Sequence, residues 1–326
     1  TVHRDTEFQE VQQKRCEEVR RSFKDALEKI TDLMLNTYKF FETHPQDIQK
    51  EWRLYAEKLD KRVEEALKKA VKTSLQDLCK ALNGDSKTTE PSPLFKIQVD
   101  LDGTKMDFSP PMHQLKDLLQ HVCRNMTLTL EDMPRLYEHF IKEKSDRDQQ
   151  KKKELEDAGE FAAANAIPPP PDVKSKKKSF FEEISKDDDC CIKYVKDVLR
   201  GFHSCATKLG ERLKFWNSSY QPIVSMDKDQ FIRRYQKNQK SLAVIGSDIQ
   251  RYKEIQREIQ MEDPKVVETF IEADFTPLKD KLTEHCVEWQ KGLTDLLNDN
   301  ARTEMNKVLE YFEKTTATFY SPINDM

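Results

Sequence analysis

Apolar positions in the first eighty residues recur every three or four places, the period of a helix with one buried face. Phe8, Val11, Val19, Phe23, Leu27, Ile30, Met34, Thr37 and Phe41 trace one stripe and predict a helix over about 7–43. At ~1.5 Å per residue this is a rod of roughly 50 Å. Thr43-His44-Pro45 then supplies a candidate N-cap and a proline for the first turn of the next helix. Ile48, Trp52, Tyr55, Leu59, Val63, Leu67, Val71, Leu75, Leu78 and Leu82 form a second stripe. It stops at Asn83-Gly84, a pair suited to a left-handed helix end. So short a connection between two long helices predicts an antiparallel pair.

The period then drops to two. Phe95, Ile97, Val99 and Leu101 alternate with polar residues up to Asp102-Gly103, and Met106 and Phe108 follow on a returning strand closed by Pro110 and Pro111. A lone hairpin is barely stable in water, so its apolar side is expected to lie against helices. The alternative is an open edge awaiting a partner strand. Helical spacing returns with Leu115, Leu118, Leu119, Val122, Cys123 and Met126, and again with Met133, Leu136, Tyr137, Phe140 and Ile141. Beyond Lys142 charge dominates to Asp157, which predicts a helix facing solvent or a partner.

Residues 159–179 hold Pro168 to Pro171 and a lysine cluster, a linker composition that favours extended chain. Docking of this single proline run to an SH3-like domain is the alternative. Phe180, Ile184, Ile192, Val195, Val198, Leu199, Phe202, Leu209, Leu213 and Trp216 predict a helix ending before Pro222. Another begins near Asp227, breaks near 238–241 and resumes through Tyr252 and Ile259. Residues 266–275 read as extended, and Pro277 opens a last helix running through Met305, Val308, Leu309 and Phe312. The expected division is a helix pair at 1–84, a hairpin with helices at 85–158, a linker at 159–179 and a second helical bundle at 180–326. The fold class is mainly α, an elongated stack of long antiparallel helices with one small β-hairpin.

Composition narrows the function classes. Of 326 residues, 35% are charged and 37% hydrophobic, with 7 glycines and a mean hydropathy of -0.83. Long helices with wet outer faces fit these values. The 55 basic and 59 acidic residues nearly cancel to a net -4 and interleave along the helices, which argues against nucleic acid as a partner. No apolar run approaches the ~20 residues that cross a bilayer, so no membrane partner is expected. Seven cysteines, at 16, 79, 123, 190, 191, 205 and 286, show no CxxC pair or metal-ligand spacing and suit a reducing compartment. The chain opens at Thr1 almost directly in a helical pattern and reads as a piece of something longer.

Two clusters invite chemistry. Asp187, Asp188 and Asp189 beside Cys190 and Cys191 suggest a metal site, but successive helical positions diverge, and an acidic first turn favoured by the helix dipole explains them better. His285-Cys286 suggests a thiol with its base, yet neighbours on a helix face about 100° apart. Cys286 and Trp289 share the apolar stripe. No GxxxxGK[ST] phosphate loop is present. No catalytic, cofactor-binding or metal residue is therefore assigned.

The stretch FTPLKDKLTEHCVEWQKGLTDLL, from Phe275 to Leu297, resembles the tail of axonemal dynein heavy chains just before the motor linker. Flanking segments agree: Phe231 to Gln260 with its Tyr252, the FYSPINDM ending at Met326, and the 93–111 hairpin each resemble elements of that tail. The resemblance implies a structural segment joining the docking base to the ATP-driven microtubule motor of a cilium or flagellum. ATP and Mg would then belong to the AAA+ ring of the parent chain, with no cofactor here. Implied partners are other dynein heavy chains, intermediate and light chains, and docking proteins of the axoneme. The lysine runs 151–153 and 174–178 read as solvated face and linker, with contact to an acidic tubulin surface as the alternative. Phe275, Pro277, Leu278, Leu282, Cys286 and Trp289 are the expected core of a structural junction. The competing reading is a cytosolic helical scaffold or tethering protein of spectrin type, disfavoured by the irregular spacing and the embedded hairpin.

Overall fold

The computed structural model describes residues 5–41, 46–83, 93–167, 178–238 and 240–320. The Thr43-His44-Pro45 turn, the Gly84 stop, the proline run 168–171 and the 321–326 end lie outside the described residues. The fold is mainly α. In chain order come α1 (Asp5–Lys39), α2 (Gln46–Asn83), β1 (Phe95–Asp102), β2 (Lys105–Ser109), α3 (Met112–Leu128), α4 (Leu136–Asp157) and α5 (Phe161–Asn165). There follow α6 (Phe180–Ser185), a π-turn (Asp188–Ile192), α7 (Lys193–Val224), α8 (Lys228–Lys237), α9 (Leu242–Met261), β3 (Lys265–Glu268), β4 (Ile271–Asp274) and α10 (Thr276–Tyr320). No helix among the described residues is long and apolar enough to cross a membrane.

The chain forms two compact units, one of Thr1–Phe95 with His113–Ser204, the other of Lys96–Met112 with Cys205–Met326. These units cut across the segments expected at 1–84, 85–158, 159–179 and 180–326. Strand pairing is the reason. The four-stranded sheet has the order β2-β1-β4-β3, so the 95–109 hairpin is hydrogen-bonded to a strand some 170 residues later. Of the two edges of this ribbon, the β1 edge is filled from within the same chain, while β2 stays at the margin of the sheet.

In the first unit, the start of α1 faces the end of α2 across a groove, and the end of α1 faces the start of α2 across another. The pair is antiparallel, as the short connection predicts. It is not a simple two-helix seam, because α4 packs against both members. Phe140 of α4 meets Tyr38 of α1 at 5.5 Å and Trp52 of α2 at 5.9 Å between ring centroids. The charged part of α4 begins over α1 and is less free than its composition suggests. Lys144 lies 4.3 Å from the Tyr38 ring, and Arg147 pairs with Asp32 at 2.6 Å.

Three further expectations need correction. The helix expected from Phe180 onward is broken into α6, the π-turn and α7, because two residues act as caps. The Ser179 hydroxyl accepts from the Glu182 N–H at 3.2 Å, and the Asp187 carboxylate accepts from the Cys190 N–H at 2.9 Å. Pro222 does not end α7, which continues to Val224. A proline so near the terminus forfeits one intrahelical bond and leaves the last turn in place. Residues 266–275 are not one extended segment but a second hairpin, with Glu268 opposite Ile271 and a turn at Thr269, whose φ is 51°.

Candidate functional site

The segment singled out by sequence forms the core of the second unit. Its entry is fixed by backbone geometry: the Phe275 N–H donates to the Pro264 carbonyl at 2.7 Å, and the Phe275 carbonyl accepts from the Lys279 N–H at 2.9 Å. The Asp274 carboxylate accepts from the Thr276 N–H at 3.0 Å, so β4 leads directly into a capped helix start. Burial alone would raise the Asp274 pKa. It is outweighed by the hydrogen bonds from Thr276 and the charges of Lys265 and Lys96, and the carboxyl sits below its usual value. The ammonium of Lys279 reaches back to the carbonyls of Gln260 and Glu262, closing the turn after α9.

Phe275, Leu278, Leu282, Cys286 and Trp289 are all buried, and Pro277 is half-buried in the first turn of α10. Their partners come from α7, α8 and α9. Phe275 stacks on Trp216 of α7 at 5.5 Å with 21° between planes. Trp289 stacks on Phe231 of α8 at 3.9 Å and 11°, while Tyr252 of α9 meets Trp289 edge-on at 5.3 Å and 89°. Offset and edge-on pairs of this kind favour one mutual arrangement over others of equal area. The helices also approach closely at Gly292, where a Cβ would come within 2.8 Å of Ile232. Gln290 donates to Gln256 at 2.9 Å, tying α10 to α9 beyond the aromatic cluster.

Nothing in this core is arranged for covalent chemistry. Burial pushes the Cys286 thiol up to about 11, so it stays protonated and packs as a small hydrophobe. His285 points to a different sector of the helix and is half-buried. The acidic triplet at 187–189 acts as a capped turn, with Asp187 paired to Lys68 at 3.2 Å. No group of three or more His, Cys, Asp or Glu among the described residues could hold a metal ion.

A polar cluster in the first unit escaped the sequence reading. Arg135 is buried and donates to Glu64 at 2.6 Å, to Asp60 at 3.3 Å and to the Lys178 carbonyl at 2.8 Å. Its guanidinium lies 4.3 Å from the centre of the Phe180 ring. Asp60 also accepts from the Leu136 N–H at 2.9 Å, which orients the first turn of α4. The available signal was the stripe itself: the buried positions of α2 run Trp52, Ala56, Asp60, Leu67 and Val71, whereas Tyr55 is exposed. A carboxylate inside an apolar stripe announces a buried cation elsewhere.

No protein-family profile matches the chain. It is 31% identical over 314 residues to the dynein-1-beta heavy chain of the flagellar inner arm I1 complex from Chlamydomonas reinhardtii, a match covering 96% of this chain and 6% of that protein. It is 28% identical to dynein axonemal heavy chain 2 of mouse and of human, in each case over 98% of this chain and 7% of the relative. The chain is homologous to a segment of axonemal dynein heavy chains. It spans only 6–7% of the length of these relatives. The homology points to the axoneme of a cilium or flagellum. Three of the residues that carried the resemblance, Phe231, Tyr252 and Trp289, come from three separate helices and make a single aromatic stack.

Proposed function

We propose that this chain is the part of an axonemal dynein heavy-chain tail that lies immediately before the motor linker and carries load between the docking base and the motor. The observation that supports this reading is similarity along 96–98% of this chain to a short stretch of axonemal dynein heavy chains, including one named for an inner-arm complex. Dynein heavy chains are motor ATPases, so ATP and Mg belong to the AAA+ ring of the parent. The segment itself serves as a stiff connector. Phe275, Pro277, Leu278, Leu282, Cys286 and Trp289 serve as a junction, because they fix the start of a 45-residue helix against three others. Bending α10 away from α8 and α9 would expose their shared core, at roughly 0.8 kcal/mol for each buried CH₂. Partners are other heavy chains, intermediate and light chains, and docking proteins of the axoneme.

The test uses the whole heavy chain with Trp289→Asp. Basal ATP turnover is expected to be retained while microtubule gliding and flagellar beating fall. Unimpaired motility of an assembled variant, or robust ATP turnover by the 326-residue chain alone, would overturn the reading.

A further inference from the structure

Arg135 has a donor group to spare. Its side chain is only 5% exposed; Nε is taken by the Lys178 carbonyl, and Nη1 by Glu64 and Asp60. The Nη2 amino group makes no hydrogen bond among the described residues. The Glu183 carboxylate stands 3.8 Å from it on an exposed side chain, too far for one. A buried guanidinium with an unfilled amino group suits an anion that offers several oxygens. Ser179 lies beside this group. Its two chain neighbours both touch the guanidinium, Lys178 through its carbonyl and Phe180 through its ring, 4.3 Å from the guanidinium carbon. Ser179 is also four residues before Glu183, on the same face of α6. Its residue is half-buried and its backbone extended, with φ -59° and ψ 160°. In sequence, Lys176, Lys177 and Lys178 come before it and Phe180 after it.

We propose that Ser179 is a phosphorylation site for a protein kinase that selects basic residues ahead of serine, and that Arg135 receives the phosphate. The lysines before Ser179 match the acidic substrate groove of such an enzyme. Local opening of α6, a helix of 6 residues, presents the serine in extended form. The kinase moves the γ-phosphoryl group of ATP to the Ser179 oxygen. The new P–O bond forms as the bond to ADP breaks, and the hydroxyl proton passes to the base of the enzyme. The product carries roughly two negative charges and several strong acceptor oxygens. Surrounding charges divide by exposure. Glu182 and Glu183 of α6 are exposed, so water screens their repulsion. Asp60 and Glu64 of α2 hold the other amino group, and Lys68 lies between Glu64 and Asp187 of the π-turn. Glu183 turns to solvent as the phosphate takes Nη2 in a charge-assisted pair. The cap survives, because a phosphate oxygen accepts the Glu182 N–H that the hydroxyl accepts at 3.2 Å. Phosphorylation therefore fastens α6 and the π-turn more tightly to α2 and the start of α4.

The experiment uses the 326-residue chain with Mg-ATP and a purified kinase of basic-residue specificity. Tandem mass spectrometry should find phosphate on Ser179, and Ser179→Ala should abolish it there. Phosphorus NMR then titrates the phosphoserine in the folded chain and in urea, where the flanking lysines remain and Arg135 is no longer beside it. In the folded chain its second pKa, ordinarily ~6, should lie about half a unit below the urea value, since a neighbouring guanidinium favours the dianion. Arg135→Lys keeps the charge, loses the fork and should shrink that difference. Amide exchange in α6 and the π-turn should slow about fivefold on phosphorylation. Absence of phosphate at Ser179, modification only by a kinase that selects acidic residues, a second pKa equal to or above the urea value, or faster exchange in α6 would each overturn the proposal. Should Arg135→Lys fail to fold, the comparison of folded and unfolded native sequence decides alone.

Discussion

Replacing Trp289 by Ala removes the centre of the junction core. The side chain is 1% exposed, its ring lies flat on Phe231 at 3.9 Å, and Tyr252 closes its other approach edge-on. Truncating a buried Trp to Ala costs about 3–5 kcal/mol, combining the lost transfer energy with the cavity left behind. Two specific ring contacts put this site in the upper part of that range, since each such pair contributes ~0.5–1.5 kcal/mol beyond its area. For a domain stable by ~5–15 kcal/mol the loss is severe. With a urea dependence near ~2 kcal/mol per molar, the midpoint of the second unit should fall by roughly 2 M. Val287→Ala is the control, two residues away on the exposed side of the same helix, and it should change stability by no more than ~0.5 kcal/mol. Amide hydrogen exchange during urea titration assigns the loss to α8, α9 and the first half of α10. Equal effects of the two substitutions would refute the argument, because burial of this ring would then contribute nothing.

Other expectations address single features. Thr269→Asn should raise the melting temperature, since a β-branched residue at φ 51° is strained; relief of about 1 kcal/mol is expected, and a lower melting temperature would count against strain there. The first unit should lose stability in acid. Burial alone would raise the pKa of Glu64 and of Asp187, but hydrogen bonds from Arg135 and Lys68 to Glu64, and from the Cys190 N–H and Lys68 to Asp187, outweigh it and leave both lowered. Carboxyls lowered in the folded state stabilise it above their unfolded pKa, near ~4, and that contribution disappears as pH falls through the folded values. Denaturation midpoints should therefore fall between neutrality and strong acid, and Lys68→Met should flatten the dependence. Thiol labelling at neutral pH should reach Cys16 in the folded chain. Cys123 and Cys205, pushed by burial up to about 12, and Cys286, at about 11, should be labelled only after unfolding.

Local order was legible where one residue type decides one geometry. The alternation from Phe95 to Leu101 before Asp102-Gly103 predicts the first hairpin, and Gly103 adopts a φ of 60° at its turn. The stripe through Leu278, Leu282, Cys286 and Trp289 identifies the buried face of α10. The second hairpin was hidden because its turn uses Thr269 and Phe270, which carry none of the usual turn signals. Pairing of β1 with β4 was hidden for another reason: each strand is a short stretch of alternating apolar and polar residues, and nothing local specifies a partner so far away. The Arg135 cluster failed differently, since charged residues on a predicted helix are assigned to solvent unless a cation and its carboxylates are known to converge. The aromatic stack lies between these cases, with every member visible in sequence and only the assembly supplied by the fold.

The union of β1 with β4 also sets a timetable for biogenesis. A ribosome adding ~5–20 residues per second needs roughly 10–30 s to make the stretch between Asp102 and Ile271. During that interval the β1 edge is a nascent ribbon with no mate. Lys96, Gln98 and Asp100, which alternate with its apolar residues, are the kind of side chain that keeps such an edge from recruiting neighbouring polypeptides. Replacing all three with valine would leave the finished sheet its pairing and would endanger the chain while it was still being made.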